Sequence, residues 1–345
     1  MTRILLVGDL HLGKPLLQSV LDDASSAQLR LMRDVERAGR EAGCTRALML
    51  GDFFDCANPS QDLQLGALEV LGSSKLQWDI YPGNHDVDDV TVPKDDPAAA
   101  ESRRCSLKLL SRLPQFGAIR NVRFVMRPTL LRVGDAVAYV VPWGHRFRVP
   151  DDCDFVAMHD SIVGARADNG RVVAPGEGVP ARDLRGKPTV SGHLHTPQRV
   201  KSARALYPGT AAQFSWGERV AKSLTALDVG KGKVRTTRVP WTPPWRLREV
   251  EWSAERPPKL DDPDAYYKVR VPSGEKPDSK WMLENPRAVR VDGVQVKKNS
   301  NRESPEEPAA YENDSERLNE WLKQRTSLTP KQRREAVRLD ARLSS

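Results

Sequence analysis

Five short segments hold most of the side chains able to do chemistry: Asp9-Leu-His11, Gly51-Asp52-Phe-Phe-Asp55, Gly83-Asn84-His85-Asp86, Met158-His159-Asp160 and Gly192-His193-Leu-His195. The 345-residue chain has six histidines, and only His145 lies outside these segments. Carboxylate, amide oxygen and imidazole together suit divalent manganese, iron or zinc. A carboxylate shared by two cations ~3.5–4 Å apart can clamp a phosphoryl group for in-line displacement. No thiolate site is written: Cys44, Cys56, Cys105 and Cys153 are scattered, with no C-x-x-C pair, and are expected to be reduced and mostly buried. His193 and His195 would share one face of a strand, but beyond a strand end they can splay into one pocket. Each segment alone is ordinary turn chemistry. Five in order, each behind a strand, make a constellation.

The elements that would position them are legible. Ile4–Val7, Ala47–Leu50, Trp78–Tyr81, Phe155–Met158 and Thr189-Val190 are short apolar runs ending in turn residues, the pattern of buried strands. Ala27 to Glu41 reads as a helix with Leu29, Met32, Val35 and Ala38 on its apolar face, Ser25 or Ser26 as cap and Gly43 as stop. Gln61–Leu71 and Arg104–Leu113 also read as helices. Strand–helix alternation predicts an α/β domain. The helix-free strands from Val122 to Trp143 and Ala205 to Val239 point to a mixed sheet or two stacked sheets. In such sheets ligands bind beyond the carboxyl ends of the strands, where the five segments fall.

The set Asp9-x-His11, Gly51-Asp52-x-x-Asp55, Gly83-Asn84-His85-Asp86, His159 and Gly192-His193-x-His195 resembles the calcineurin-like metallophosphoesterase superfamily. Within it, GDFFDCANPS (51–60), YPGTAAQFSWGE (207–218) and KSLTALDV (222–229) resemble the SbcD-type nuclease branch, over roughly residues 1–240. The resemblance implies a layered β-sandwich flanked by helices, with a small mostly-β cap domain and a C-terminal helical tail. It implies one metal on Asp9, His11, Asp52 and His195, and a second on Asp52, Asn84, His159 and His193, most often manganese. It gives His85 the task of protonating the leaving oxygen or steadying the transition state, oriented by Asp86. Asp55, where some relatives carry histidine, is expected to position the site without binding metal. His145 is read as structural or as lying near the substrate channel.

The charge is uneven. Residues 181–250 hold 14 Lys and Arg against four acids, a larger excess than the +8 of the whole chain. Such a patch suits a polyanion. Arg199, Lys201, Arg204, Arg219 and Lys222 are the candidate DNA contacts. Domain boundaries are expected at 1–240 for the nuclease body, 246–296 for the cap, 297–313 for a polar linker and 314–345 for two amphipathic helices. The resemblance implies that these helices dock an SbcC-type, SMC-like ATPase, although packing on their own domain fits their pattern equally. The helices at Gln61–Leu71 and Arg104–Leu113 are either a homodimer interface or core. No apolar run nears the ~20 residues of a membrane span, and the N-terminus lacks a signal-peptide pattern. A cytoplasmic protein is expected, bacterial or phage-encoded. The implied activity is a metal-dependent exonuclease on double strands and endonuclease at hairpins and single strands, serving recombination, repair or replication. The alternative is a phosphomonoesterase or cyclic-nucleotide phosphodiesterase. A non-catalytic scaffold is disfavoured because every ligand is present.

Overall fold

The computed structural model describes residues 1–21, 23–88, 104–113, 119–230, 232–272, 275, 277 and 279–294. Residues 1–294 form one compact unit. The expected linker 297–313 and helical tail 314–345 lie outside the described residues.

Two six-stranded sheets stack face to face. The first runs β12 (Lys233–Val239), β11 (Leu224–Gly230), β1 (Thr2–Val7), β2 (Arg46–Met49), β3 (Gln77–Ile80) and β4 (Val122–Phe124), with β1 to β4 parallel. The second runs β5 (Thr129–Val133), β6 (Ala136–Val141), β7 (Phe155–His159), β8 (Thr189–Gly192), β10 (Ala205–Tyr207) and β9 (Gln198–Val200). Strand alternation builds the layers. Ile4 and Leu6 face the core between the sheets, with Leu48, Ala138, Val140, Phe155 and Ala157. Leu5 and Val7 face the helices on the outer side. The mixed, stacked arrangement expected from the strand pattern is what the chain adopts.

The short helix α1 (Pro15–Gln18) precedes α2 (Ala24–Glu41), which starts earlier than its periodicity suggested. Its cap is Asp23, whose carboxylate accepts from the Ser26 amide at 3.0 Å, and neither Ser25 nor Ser26 caps it. Its buried stripe runs through Leu31, Met32 and Val35. Gly43, at φ +78°, ends it as expected. Ser60 caps α3 (Gln61–Ser73). Between 104 and 113 the α-helical residues are Leu107–Leu110 (α4). Residues 104–106 are occupied otherwise: Cys105 bridges Val87, and the Ser106 amide donates to the Asp86 carbonyl at 2.9 Å. They pair with the third ligand loop, which leaves them unable to begin a helix.

After the proline-rich crossing, β13 (Arg246–Glu251), β14 (Ala265–Pro272) and β15 (Ala288–Val294) form a parallel three-stranded sheet with α5 (Ser279–Glu284). It has its own core of Trp252, Val269, Val271, Trp281 and Ala288. The crossing is pinned to the body: Trp241 Nε1 donates to Ala211 O at 2.6 Å and Trp245 Nε1 to Gln213 O at 2.9 Å.

Candidate metal centre

All five ligand segments leave strands at the same end of the sandwich: β1, β2 and β3 from the first sheet, β7 and β8 from the second. Three ligands take left-handed backbone conformations, His11 at φ +44°, Asp52 at +49° and His193 at +84°. Such a turn redirects a side chain that would otherwise continue along its strand, at a cost of about 1 kcal/mol or more per residue. Glycine is required where loops close on one another. A Cβ on Gly51 would stand 2.2 Å from His159 Nδ1, and one on Gly83 would stand 2.2 Å from Asp52 Oδ1.

The seven expected ligands converge in two lobes. In the first, the Nε2 atoms of His11 and His195 are 3.0 Å apart, His195 Nε2 is 3.6 Å from Asp9 Oδ2, and His11 Nε2 is 3.8 Å from Asp52 Oδ2. In the second, His159 Nε2 is 3.3 Å from the same Asp52 oxygen and 3.0 Å from Asn84 Oδ1, which lies 2.9 Å from His193 Nδ1. Donors that bind one cation at ~2.0–2.2 Å stand about 3 Å from each other, and these gaps match. The Nε2 atoms of His11 and His195 are close enough to be donors to one cation. The residues therefore fit two divalent ions, with Asp52 common to both.

Each imidazole is turned by its other face. The Nδ1 of His159 donates to the Leu50 carbonyl at 2.6 Å, leaving Nε2 as ligand. His195 Nδ1 donates to Glu218 Oε1 at 3.1 Å, and His11 Nδ1 lies 2.8 Å from Asp55 Oδ1. Both carboxylates are held by lysines: Lys14 Nζ reaches Asp55 at 2.8 Å, and Lys222 Nζ reaches Glu218. His193 is instead stacked on the Trp143 indole, with centroids 5.7 Å apart and planes at 23°. Histidine ligands backed in this way keep one tautomer and one orientation.

The charges follow this wiring. Burial alone would lower the pKa of His159, but Asp52 overrides it and pushes it up to about 10. Burial opposes ionisation of Glu218, yet His195 and Lys222 bring its carboxyl down to about 2. Burial lowers His11 despite Asp55 and Asp52, and burial with His159 lowers His193. With their pKa lowered, His11 and His193 stay neutral, the form in which imidazole binds a metal.

Three expectations need correcting. Asp86 does not orient His85. It is fully buried; its carboxylate accepts from the amides of Phe53, Phe54 and Gly83 at 2.9–3.0 Å and from Ser106 Oγ at 2.8 Å. It pins the second and third loops together. His85 Nδ1 instead donates to the Asp55 carbonyl at 3.1 Å, and the ring is 39% exposed at the rim. Lys222 is not a surface cation: it is buried between Glu218, Thr210 and the His195 carbonyl. Lys201 and Arg204 sit where β9 and β10 meet the start of β8, the sheet end away from the ligands. Arg199 lies midway and bonds Thr236. Arg219 is exposed.

Glu218, Lys14 and Trp143 escaped the sequence reading as site components. Only Glu218 carried a signal, four residues before Lys222 in the segment already matched by resemblance. His145 is half-buried.

Residues 2–197, which include all seven ligands, match the family model for calcineurin-like phosphoesterases. The SbcD subunit of the nuclease SbcCD from Bacillus subtilis (strain 168) is 27% identical over 274 residues, covering 68% of each chain. The crystal structure of TT1561 of Thermus thermophilus aligns at 11% identity with a TM-score of 0.35, covering 69% of this chain and 99% of its own.

Proposed function

The chain belongs to the calcineurin-like phosphoesterase family, and from that premise we propose that it is a two-metal DNA nuclease that hydrolyses phosphodiesters. One cation would be held by Asp9, His11, Asp52 and His195, the other by Asp52, Asn84, His159 and His193. When bound, the pair polarises the phosphoryl group and lowers the pKa of the attacking water.

The chain's own residues do the rest. His85 stands at the rim with Nδ1 committed to the Asp55 carbonyl, so Nε2 is the atom that delivers a proton to the departing oxygen. Asp55 thereby serves twice, its carbonyl fixing His85 and its carboxylate fixing His11. Asp86 holds the two loops in register and touches no substrate.

The observation that carries two-metal chemistry is one Asp52 oxygen shared by two donor groups, with an exposed imidazole beside them. What supports DNA as substrate is the identity with the SbcD subunit of the nuclease SbcCD and the basic excess of residues 181–250. On this reading manganese is the working metal, and the enzyme trims double-stranded ends and cuts hairpins and single strands in recombination, repair or replication in the cytoplasm. An SbcC-type ATPase docks on residues 314–345, and a homodimer is formed by the body. Loss of ATPase co-purification on deleting 314–345, with nuclease activity kept, tests the docking. Sedimentation tests the dimer.

The deciding assay compares linear DNA, hairpin DNA, p-nitrophenyl phosphate and cyclic nucleotides with added manganese. DNA should be cut at least tenfold faster than the small esters. The reverse order assigns the centre to small phosphate esters.

A further inference from the structure

A cavity of about 820 Å³ lies between the body and the three-stranded sheet, away from the metal ligands. Its size falls in the ~300–1,000 Å³ range of small-molecule sites. None of the seven ligands lines it, but Glu218 and Lys222 do, from behind His195.

Its wall is cationic. Arg219, Arg238 and Lys259 line it, are exposed, and have no ion pair among the described residues. The acids are mostly neutralised: Glu218 holds Lys222, and Glu249 holds Lys268 and Arg270, which leaves Asp261. Trp241, half-buried, adds an aromatic ring to the same wall. Unpaired cations beside an aromatic ring match a planar base carrying phosphates.

We propose that this cavity binds a nucleotide, with its phosphates on Arg219, Arg238 and Lys259 and its base against the Trp241 side. The site is separate from the metal centre and independent of the reading of the enzyme as a DNA nuclease. Its occupant bears on catalysis through the floor it shares with His195. Gln213 links the same parts: its amide brackets the Leu247 backbone, while the next residue, Phe214, donates to Glu218 at 3.1 Å.

The test uses the full-length chain with its manganese and an azidoadenine diphosphate photoprobe, with crosslinked peptides mapped by mass spectrometry. ADP affinity is measured in parallel by calorimetry. Crosslinks should fall in 213–222 or 241–267. ADP binding should weaken at least tenfold in the Arg219→Glu/Arg238→Glu double variant, both residues being exposed and so expected not to disturb folding. It should persist in Asp52→Asn, which disables the metal centre. Crosslinks confined to the ligand loops, or undiminished binding in the double variant, overturn the proposal. Equal affinity for inorganic pyrophosphate overturns recognition of the base. Binding of an oligonucleotide without binding of ADP overturns it in favour of a strand-holding groove.

Discussion

The two lobes of the metal centre are built from similar ligands but held by different means. In the first, His11 and His195 are each backed by a carboxylate, and each carboxylate is clamped by a lysine, Asp55 by Lys14 and Glu218 by Lys222. In the second, His159 is backed by the neutral Leu50 carbonyl and His193 by the face of Trp143. Carboxylate backing makes an imidazole a stronger base and a stronger ligand than a carbonyl does. The lysine keeps that carboxylate from taking the imidazole's proton. The difference teaches that the first lobe is tuned by charge and the second by shape. The two sites are therefore expected to respond to different substitutions.

The largest effect should come from the residue the lobes share. Asp52→Asn is expected to reduce bound metal from two ions to one or none and to cut turnover by at least ~10³-fold, read by metal analysis of the purified protein. Loss from one lobe with full turnover would break the shared-oxygen picture. Next, His85→Ala should keep both ions and lose about 10²–10⁴-fold in rate. Unchanged cutting would remove His85 from the chemistry.

Glu218→Gln and Asp55→Asn sharpen the contrast itself. Each should weaken one of two calorimetric metal-binding steps by ~10–100-fold and leave the other unmoved; equal weakening of both steps would erase the distinction. Acid should do the same without mutation. A carboxyl whose folded pKa is depressed gives stability that is fully present above its unfolded pKa and lost as pH falls through the folded one. For Glu218 that window runs from about 4.5 down to about 2. Metal-free protein should lose on the order of 3 kcal/mol there, and Glu218→Gln should lose less across the same range. The smallest effect is Trp143→Ala, a several-fold weakening confined to the step that Glu218→Gln leaves alone.

Much of this centre could be read before folding because each ligand sits within a few residues of a strand end, and strand ends are local patterns. What failed was non-local. Asp86 follows His85 in sequence, and adjacency suggested partnership, but the turn sends the two side chains apart, one to the rim and one into the core. Lys222 counted as charge, and charge counting cannot see that Glu218 draws it inside. Arg104–Leu113 has helical periodicity, but pairing with the third loop took its first turn. Glu218 was invisible as a partner because its histidine lies 23 residues away across the sheet end.

The first strand of the chain is hydrogen-bonded to β11, with Thr2 opposite Val229 and Leu6 opposite Thr225. During synthesis that strand can pair early with β2 on one side, but waits for more than two hundred residues before β11 emerges from the ribosome to cover the other. Asp9 and His11 hang from it, so a nascent or truncated chain has no finished centre. Hydrolytic activity is therefore expected only after β11 has been made.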